Sequence, residues 1–115
     1  MRTYEEKLRS LALNDTGRAT AFACEVEGLL DARTRAMVEL AALVAMNGPA
    51  AAFQASADAA LAAGANEDQL VDILITTLPT VGSAHVVAAA PKLAMALGYD
   101  IDAALEAPAG DVKRR

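Results

Sequence analysis

The sequence predicts an all-α domain, and three observations carry that prediction. Hydrophobic residues make up 55% of the 115-residue chain, yet aromatics are only 3%. The difference is mostly alanine, the best helix former because its side chain loses no rotamer entropy. Apolar residues recur at three- and four-residue spacing between breaks of Gly, Pro and Asn, and the β-branched and aromatic types that strands prefer are few.

The elements follow in order. Thr3 to Leu13 is a first helix with Tyr4, Leu8, Leu11 and Ala12 on one side, closed by the turn signal Asn14, Asp15, Gly17. Residues 18–29 are ambiguous, because Phe22, Val26 and Leu29 have helical spacing while Gly28 opposes it. Asp31 is a favourable N-cap. From there Met37, Leu40, Ala41, Val44 and Ala45 form one apolar stripe, and Val38, Ala42, Leu43 and Met46 fill the opposite side. A helix apolar nearly all round is expected to be buried on two sides, the second covered by another subunit or lining a pocket.

Asn47 and Gly48 end that helix, and Pro49 suits the first turn of the next, whose stripe is Phe53, Ala57, Ala60 and Leu61 and whose end is Gly64. Asn66 and Gln69 make a capping box ahead of the stripe Leu70, Ile73, Leu74 and Leu78. Pro79 and Gly82 predict a break. Ser83 is read as the cap of a helix carrying Val86, Val87, Ala90, Leu93 and Leu97, kinked at Pro91 and closed by Gly98. Asp100 caps a short turn through Leu105. Residues 1–106 are read as one domain and 107–115 as a disordered tail.

The net charge of −5 opposes nucleic-acid binding, which needs clustered Lys and Arg. The basic run Lys113, Arg114, Arg115 lies beyond every periodic segment. No apolar run is long enough to span a bilayer, since Glu39 interrupts the longest. No signal peptide is recognisable, so a cytoplasmic location is expected. Cys24 is the only cysteine, which rules out an intramolecular disulfide and any CxxC pair within this sequence. One histidine and scattered carboxylates give no metal-ligand spacing, and nothing calls for a cofactor. An alanine-rich core supplies little apolar area, so assembly with identical subunits is expected.

LDARTRAMVELAALVAMNG at 30–48, ALAAGANEDQLVDIL at 60–74 and PTVGSAHVVAAAPKLA at 79–94 resemble, in this order and spacing, the carboxymuconolactone decarboxylase and alkylhydroperoxidase D family. The resemblance implies an alkylhydroperoxidase D-like helical bundle that forms homo-oligomers, trimers or multiples of them. The redox branch of that family carries Asn-Gly-Cys-x-x-Cys-x-x-x-His at a helix junction. Those slots fall here on Asn47, Gly48, Pro49, Ala52 and Ser56. Both cysteines and the histidine are missing, so thiol peroxidase chemistry, which needs an attacking and a resolving sulfur, is not expected. The decarboxylase branch lacks the cysteines too, but commonly has a histidine in the Ser56 slot.

Glu39 is the single charge within Ala36 to Met46. It is either an ion pair with Arg35 at i, i+4 or part of a face turned to a polar interface, or a carboxylate in an apolar pocket that serves as general acid or base. His85, the only histidine, is either packed against a backbone carbonyl or a proton shuttle near a helix start, where the dipole favours neutral imidazole. Gln54 and Asp58 share a face at i, i+4 and read as surface. Ser56 is singled out by its slot, though no neighbouring base in sequence would activate it.

The leading reading is a cofactor-independent lyase or isomerase acting on a small organic acid or lactone by proton transfer. Glu39 and His85 would carry the protons, Arg35 (or Arg33) would orient a carboxylate, and Ser56 would contact substrate. The alternative is a catalytically silent oligomeric subunit that binds a small apolar ligand or a protein partner. A helix-turn-helix regulator is excluded, because its candidate helix Glu67 to Leu78 is acidic and apolar.

Overall fold

A computed structural model describes residues 3–15, 17, 21 and 29–106. Cys24, the ambiguous segment around Phe22 and Val26, and the expected tail 107–115 lie outside the described residues. The contacts divide the chain into two units, residues 1–31 and 32–115. All regular structure among the described residues is helical, as an alanine-rich, aromatic-poor sequence requires.

The first unit holds α1 (Tyr4–Ala12), capped by Thr3, whose hydroxyl accepts from the Glu6 amide at 3.2 Å. Its apolar side is open to solvent, with Tyr4, Leu8 and Leu11 all exposed. Asn14 takes a left-handed φ of 60° and the Asp15 amide returns to the Ser10 carbonyl at 2.9 Å, which closes the helix.

The second unit is built from α2 (Ala32–Met46), α3 (Ala50–Ala62), α4 (Glu67–Val81), α5 (Ser83–Ala96) and the short α6 (Ile101–Glu106). α2 and α5 each pack against both α3 and α4. Their shared core is Leu40 and Val44 from α2, Phe53, Ala57 and Ala60 from α3, Leu70, Ile73 and Leu74 from α4, and Ala89 and Leu93 from α5. With so many alanines on the inner faces the backbones approach closely, and Phe53 is the largest side chain fully buried between them.

The helix ends repeat one chemical solution. At the end of α2 the Gly48 amide donates to the Leu43 carbonyl at 2.9 Å and the Asn47 amide to Val44 at 3.3 Å, with Asn47 at φ 55°. This is the Schellman arrangement, which satisfies carbonyls that lack an intrahelical donor. Gly64 and Gly98 take the same place after α3 and α5. At the start of α4 the capping box is present in both directions: Gln69 N donates to Asn66 Oδ1 at 2.8 Å, and Asn66 N to Gln69 Oε1 at 3.0 Å. Asp100 caps α6, accepting from the Ala103 amide at 3.0 Å.

Several expectations are corrected. Pro79 does not end α4; it sits inside its last turn, at the cost of the amide donor that would have reached the Ile75 carbonyl. The break is Gly82 alone, at φ 94° and ψ 158°, a region essentially closed to side-chain-bearing residues. Gly82, not Ser83, is the N-cap of α5, and no side chain caps that end. Pro49 is likewise the N-cap of α3 rather than its first residue. Pro91 lies within α5, which continues from Ser83 to Ala96. Burial differs too: Ala45, Leu78 and Val87, placed on inner stripes by spacing, are exposed. On the second side of α2, Val38 and Met46 are exposed in the single chain, and Val38 lines a groove against α4.

Candidate functional site

α2 and α3 form a helical hairpin joined through Asn47, Gly48 and Pro49, and between them runs a shallow, open groove of about 440 Å³. That volume lies within the range of small-molecule sites. From α2 the groove takes Glu39, Ala42 and Leu43; from α3 it takes Ala52, Ala55, Ser56 and Ala59. The spacing on each helix brings these residues onto the face turned to the other. Alanine walls keep the groove open where larger side chains would fill it.

Two polar side chains interrupt this apolar lining. Glu39 is exposed at its edge and makes no hydrogen bond or ion pair among the described residues. In particular, the expected Glu39–Arg35 pair is not formed. Ser56 is only 7% exposed, and its Oγ is buried without a hydrogen-bond partner. A hydroxyl in that position usually bonds a carbonyl one turn back, as Thr77 does to Leu74 at 3.0 Å. An unpartnered buried hydroxyl is costly, which marks Ser56 as an unusual residue in this core.

The other singled-out residues are placed elsewhere. His85 is exposed on the first turn of α5 and does not line the groove, so the structure does not bring it together with Glu39. Arg35 is half-buried one turn before Glu39 and is not part of the lining. Arg33 lines a second groove of about 520 Å³ between α2 and α4, beside Thr34, Gln69 and Asp72 over Met37 and Ile73. Gln54 and Asp58 pair at 3.0 Å on the surface of α3, as their spacing predicts.

One residue that periodicity did not flag organises the base of the hairpin. Lys92 on α5 donates from Nζ to the Gly48 carbonyl at 2.7 Å and to Asn47 Oδ1 at 3.1 Å, with its ammonium 5.8 Å from the centre of the Phe53 ring. These bonds hold the turn that sets the spacing of α2 and α3. Gly48 is itself buried against Leu43; a Cβ there would stand 2.9 Å from Leu43 Cδ2, a groove-lining side chain. No local pattern announces a contact between residues 44 positions apart.

The comparison with known families matches the carboxymuconolactone decarboxylase family model over residues 11–94. The chain belongs to the carboxymuconolactone decarboxylase family. No curated protein and no solved structure matches the sequence. The matched stretch includes the α2–α3 hairpin and Lys92. Within this carboxymuconolactone decarboxylase family member, Ser56 is buried in the wall of the groove whose edge carries Glu39. Among the described residues no helix is long and apolar enough to cross a membrane, and no three His, Cys, Asp or Glu side chains converge on a point that would hold a metal ion.

Proposed function

We propose that the α2–α3 groove is the working site of a cofactor-independent proton-transfer enzyme acting on a small organic acid or lactone. One observation carries this reading: an unpaired carboxylate and an unpartnered hydroxyl sit on adjoining helices around one apolar groove. Glu39 takes a proton from the carbon next to a substrate carbonyl. The C–H electron pair moves onto the carbonyl oxygen, and the resulting enolate accepts a hydrogen bond from Ser56 Oγ–H once rotation about χ1 brings that hydroxyl from its buried position to the groove. Return of the proton from Glu39 to a different carbon completes an isomerisation, and return to the same carbon is silent except for isotope exchange. His85, outside the groove of its own chain, has no step in this scheme.

A second reading keeps the groove and drops the chemistry. The exposure of Glu39 favours it, because water competes with substrate for that carboxylate. In this reading the chain is an oligomeric subunit that holds a small apolar ligand. Incubation with a panel of small lactones and keto acids in heavy water separates the two. Hydrogen exchange at the α-carbon followed by NMR, lost in Glu39→Gln, supports the enzyme. Binding without exchange supports the silent subunit. Absence of both would remove the groove as the working site.

A further inference from the structure

The turn between α2 and α3 carries a chemically reactive pair of residues. Asn47 is exposed at φ 55°, a left-handed conformation that asparagine tolerates better than most side chains. Gly48 is buried, and a Cβ there would stand 2.9 Å from Leu43 Cδ2. The turn therefore favours Asn followed by Gly on two independent grounds. That dipeptide has a consequence of its own. With no Cβ on the second residue, little screens its backbone nitrogen from the asparagine side-chain amide, and that nitrogen can attack Cγ.

Both reacting groups are tied down in the closed turn. The Gly48 amide donates to the Leu43 carbonyl at 2.9 Å, and Asn47 Oδ1 accepts from Lys92 Nζ at 3.1 Å. The same ammonium holds the Gly48 carbonyl at 2.7 Å. Attack requires the Gly48 nitrogen to give up its proton and with it the bond to Leu43. The Asn47 side chain must also leave Lys92. A local opening of the turn meets both conditions at once.

We propose that Asn47 is a deamidation site held latent by the closed α2–α3 turn, with Lys92 as its lock. When the turn opens, the deprotonated Gly48 nitrogen bonds to Cγ. The Cγ–Nδ2 bond breaks, and ammonia leaves carrying the proton, which gives a cyclic imide. Water then opens the imide at either carbonyl. Breaking the new N–Cγ bond restores the main chain and leaves aspartate; breaking the original peptide bond leaves isoaspartate. One water is consumed and one ammonia released, with no change of oxidation state. Aspartate sets a carboxylate beside the Lys92 ammonium and keeps the turn. Isoaspartate lengthens the main chain by a methylene, so Gly48 no longer reaches Leu43 and Lys92 together, and the walls of the groove lose their spacing. This chemistry is independent of what the groove binds.

The test holds full-length protein at mildly alkaline pH, folded or unfolded in guanidinium chloride, and follows each asparagine by peptide mass spectrometry. Asn14 and Asn66, which precede Asp15 and Glu67, are internal references. Asn14 is the closer one, exposed and left-handed at φ 60° but without the following glycine. In the unfolded chain Asn47 is expected to convert fastest of the three, to both products. Folding should slow it by at least about tenfold, because opening becomes a prior step. Lys92→Met should return about fivefold of that protection by removing the bonds that hold the turn, with Asn66 unchanged. Equal rates at Asn47 in the folded and unfolded chains overturn the latency, and an Asn47 that survives in both overturns the site. An unchanged rate in Lys92→Met, or a rise shared by Asn66, removes Lys92 as the lock, since the protection would then come from the whole bundle.

Discussion

Lys92 on α5 and Gly48 in the α2–α3 turn are joined by a 2.7 Å hydrogen bond from the lysine ammonium to the glycine carbonyl. The acceptor is a half-buried backbone group, and an unmet carbonyl there would be unfavourable. Lys92→Met keeps an unbranched apolar stem but removes both the donor and the charge near the Phe53 ring. It should cost about 1–2 kcal/mol of stability, measured by denaturant unfolding. Because the bond sets the hairpin, the same variant should also weaken ligand binding in the groove. A variant as stable as the parent would show that the turn holds itself.

Gly82 gives a sharper backbone test. It is at once the end of α4 and the N-cap of α5, at φ 94° and ψ 158°, and a Cβ added there would meet nothing within 4 Å. Space is therefore not the constraint; conformation is. Gly82→Ala should cost about 1–3 kcal/mol, visible as a lower unfolding midpoint with unchanged helical content. No loss would mean that the two helices can be joined through another backbone geometry.

The features read most directly from sequence are those made by residues three or four apart. Asn66 and Gln69 announced their capping box, and Gly64 and Gly98 their helix ends, because each bond closes within one turn. Glu39 and Ser56 reach one groove because they stand on consecutive helices joined by a tight turn. His85 failed to join them because its direction depends on how α5 rotates against α3 and α4, and an apolar pattern on nearly every side of α5 leaves that rotation open. The same ambiguity misplaced Val87 on α5. Lys92 was silent in the pattern for a different reason: its partners are set by chain topology.

Ser56, Glu39 and His85 make opposite demands on stability and activity. Ser56→Ala removes a buried hydroxyl without a partner, so it should be neutral or stabilising by up to about 1 kcal/mol. Glu39→Gln and His85→Ala alter exposed side chains without ion pairs among the described residues, and each should stay within about 0.5 kcal/mol of the parent. Of the exposed pair, only Glu39→Gln should abolish α-proton exchange. Thermal unfolding beside the exchange assay checks all three. A large loss of stability in Ser56→Ala would mean that its hydroxyl has a structural partner.

Thiol chemistry makes a plain negative prediction. The slots that carry sulfur in the redox branch are Pro49 and Ala52, and Cys24 is the only cysteine. With no second thiol in this sequence the intramolecular disulfide of that branch cannot form, and the one thiol occupies neither slot. Peroxide consumption coupled to a dithiol reductant should therefore match the uncatalysed rate. Turnover that disappears in Cys24→Ser would contradict this.

Self-association is predicted from α4. Val71, Ile75 and Leu78, spaced four and three residues apart, lie on one side of that helix and are 45%, 62% and 41% exposed. Val38 on α2, 55% exposed, lines the neighbouring α2–α4 groove. An apolar stripe of this kind is unfavourable in water and is the usual core of a contact between copies. The family resemblance implies a trimer or a multiple of it, so light scattering coupled to size exclusion should give a mass that is a multiple of three chains at micromolar concentration. Ile75→Glu places a charge in the middle of the stripe. It should lower the mass toward one chain while circular dichroism retains the helical signal, because the side chain is exposed in the single chain and its loss leaves the core residues Leu70, Ile73 and Leu74 in place. A parent protein that elutes as a monomer would overturn the prediction. So would an Ile75→Glu variant that keeps the full assembly, since the contact would then lie on another face.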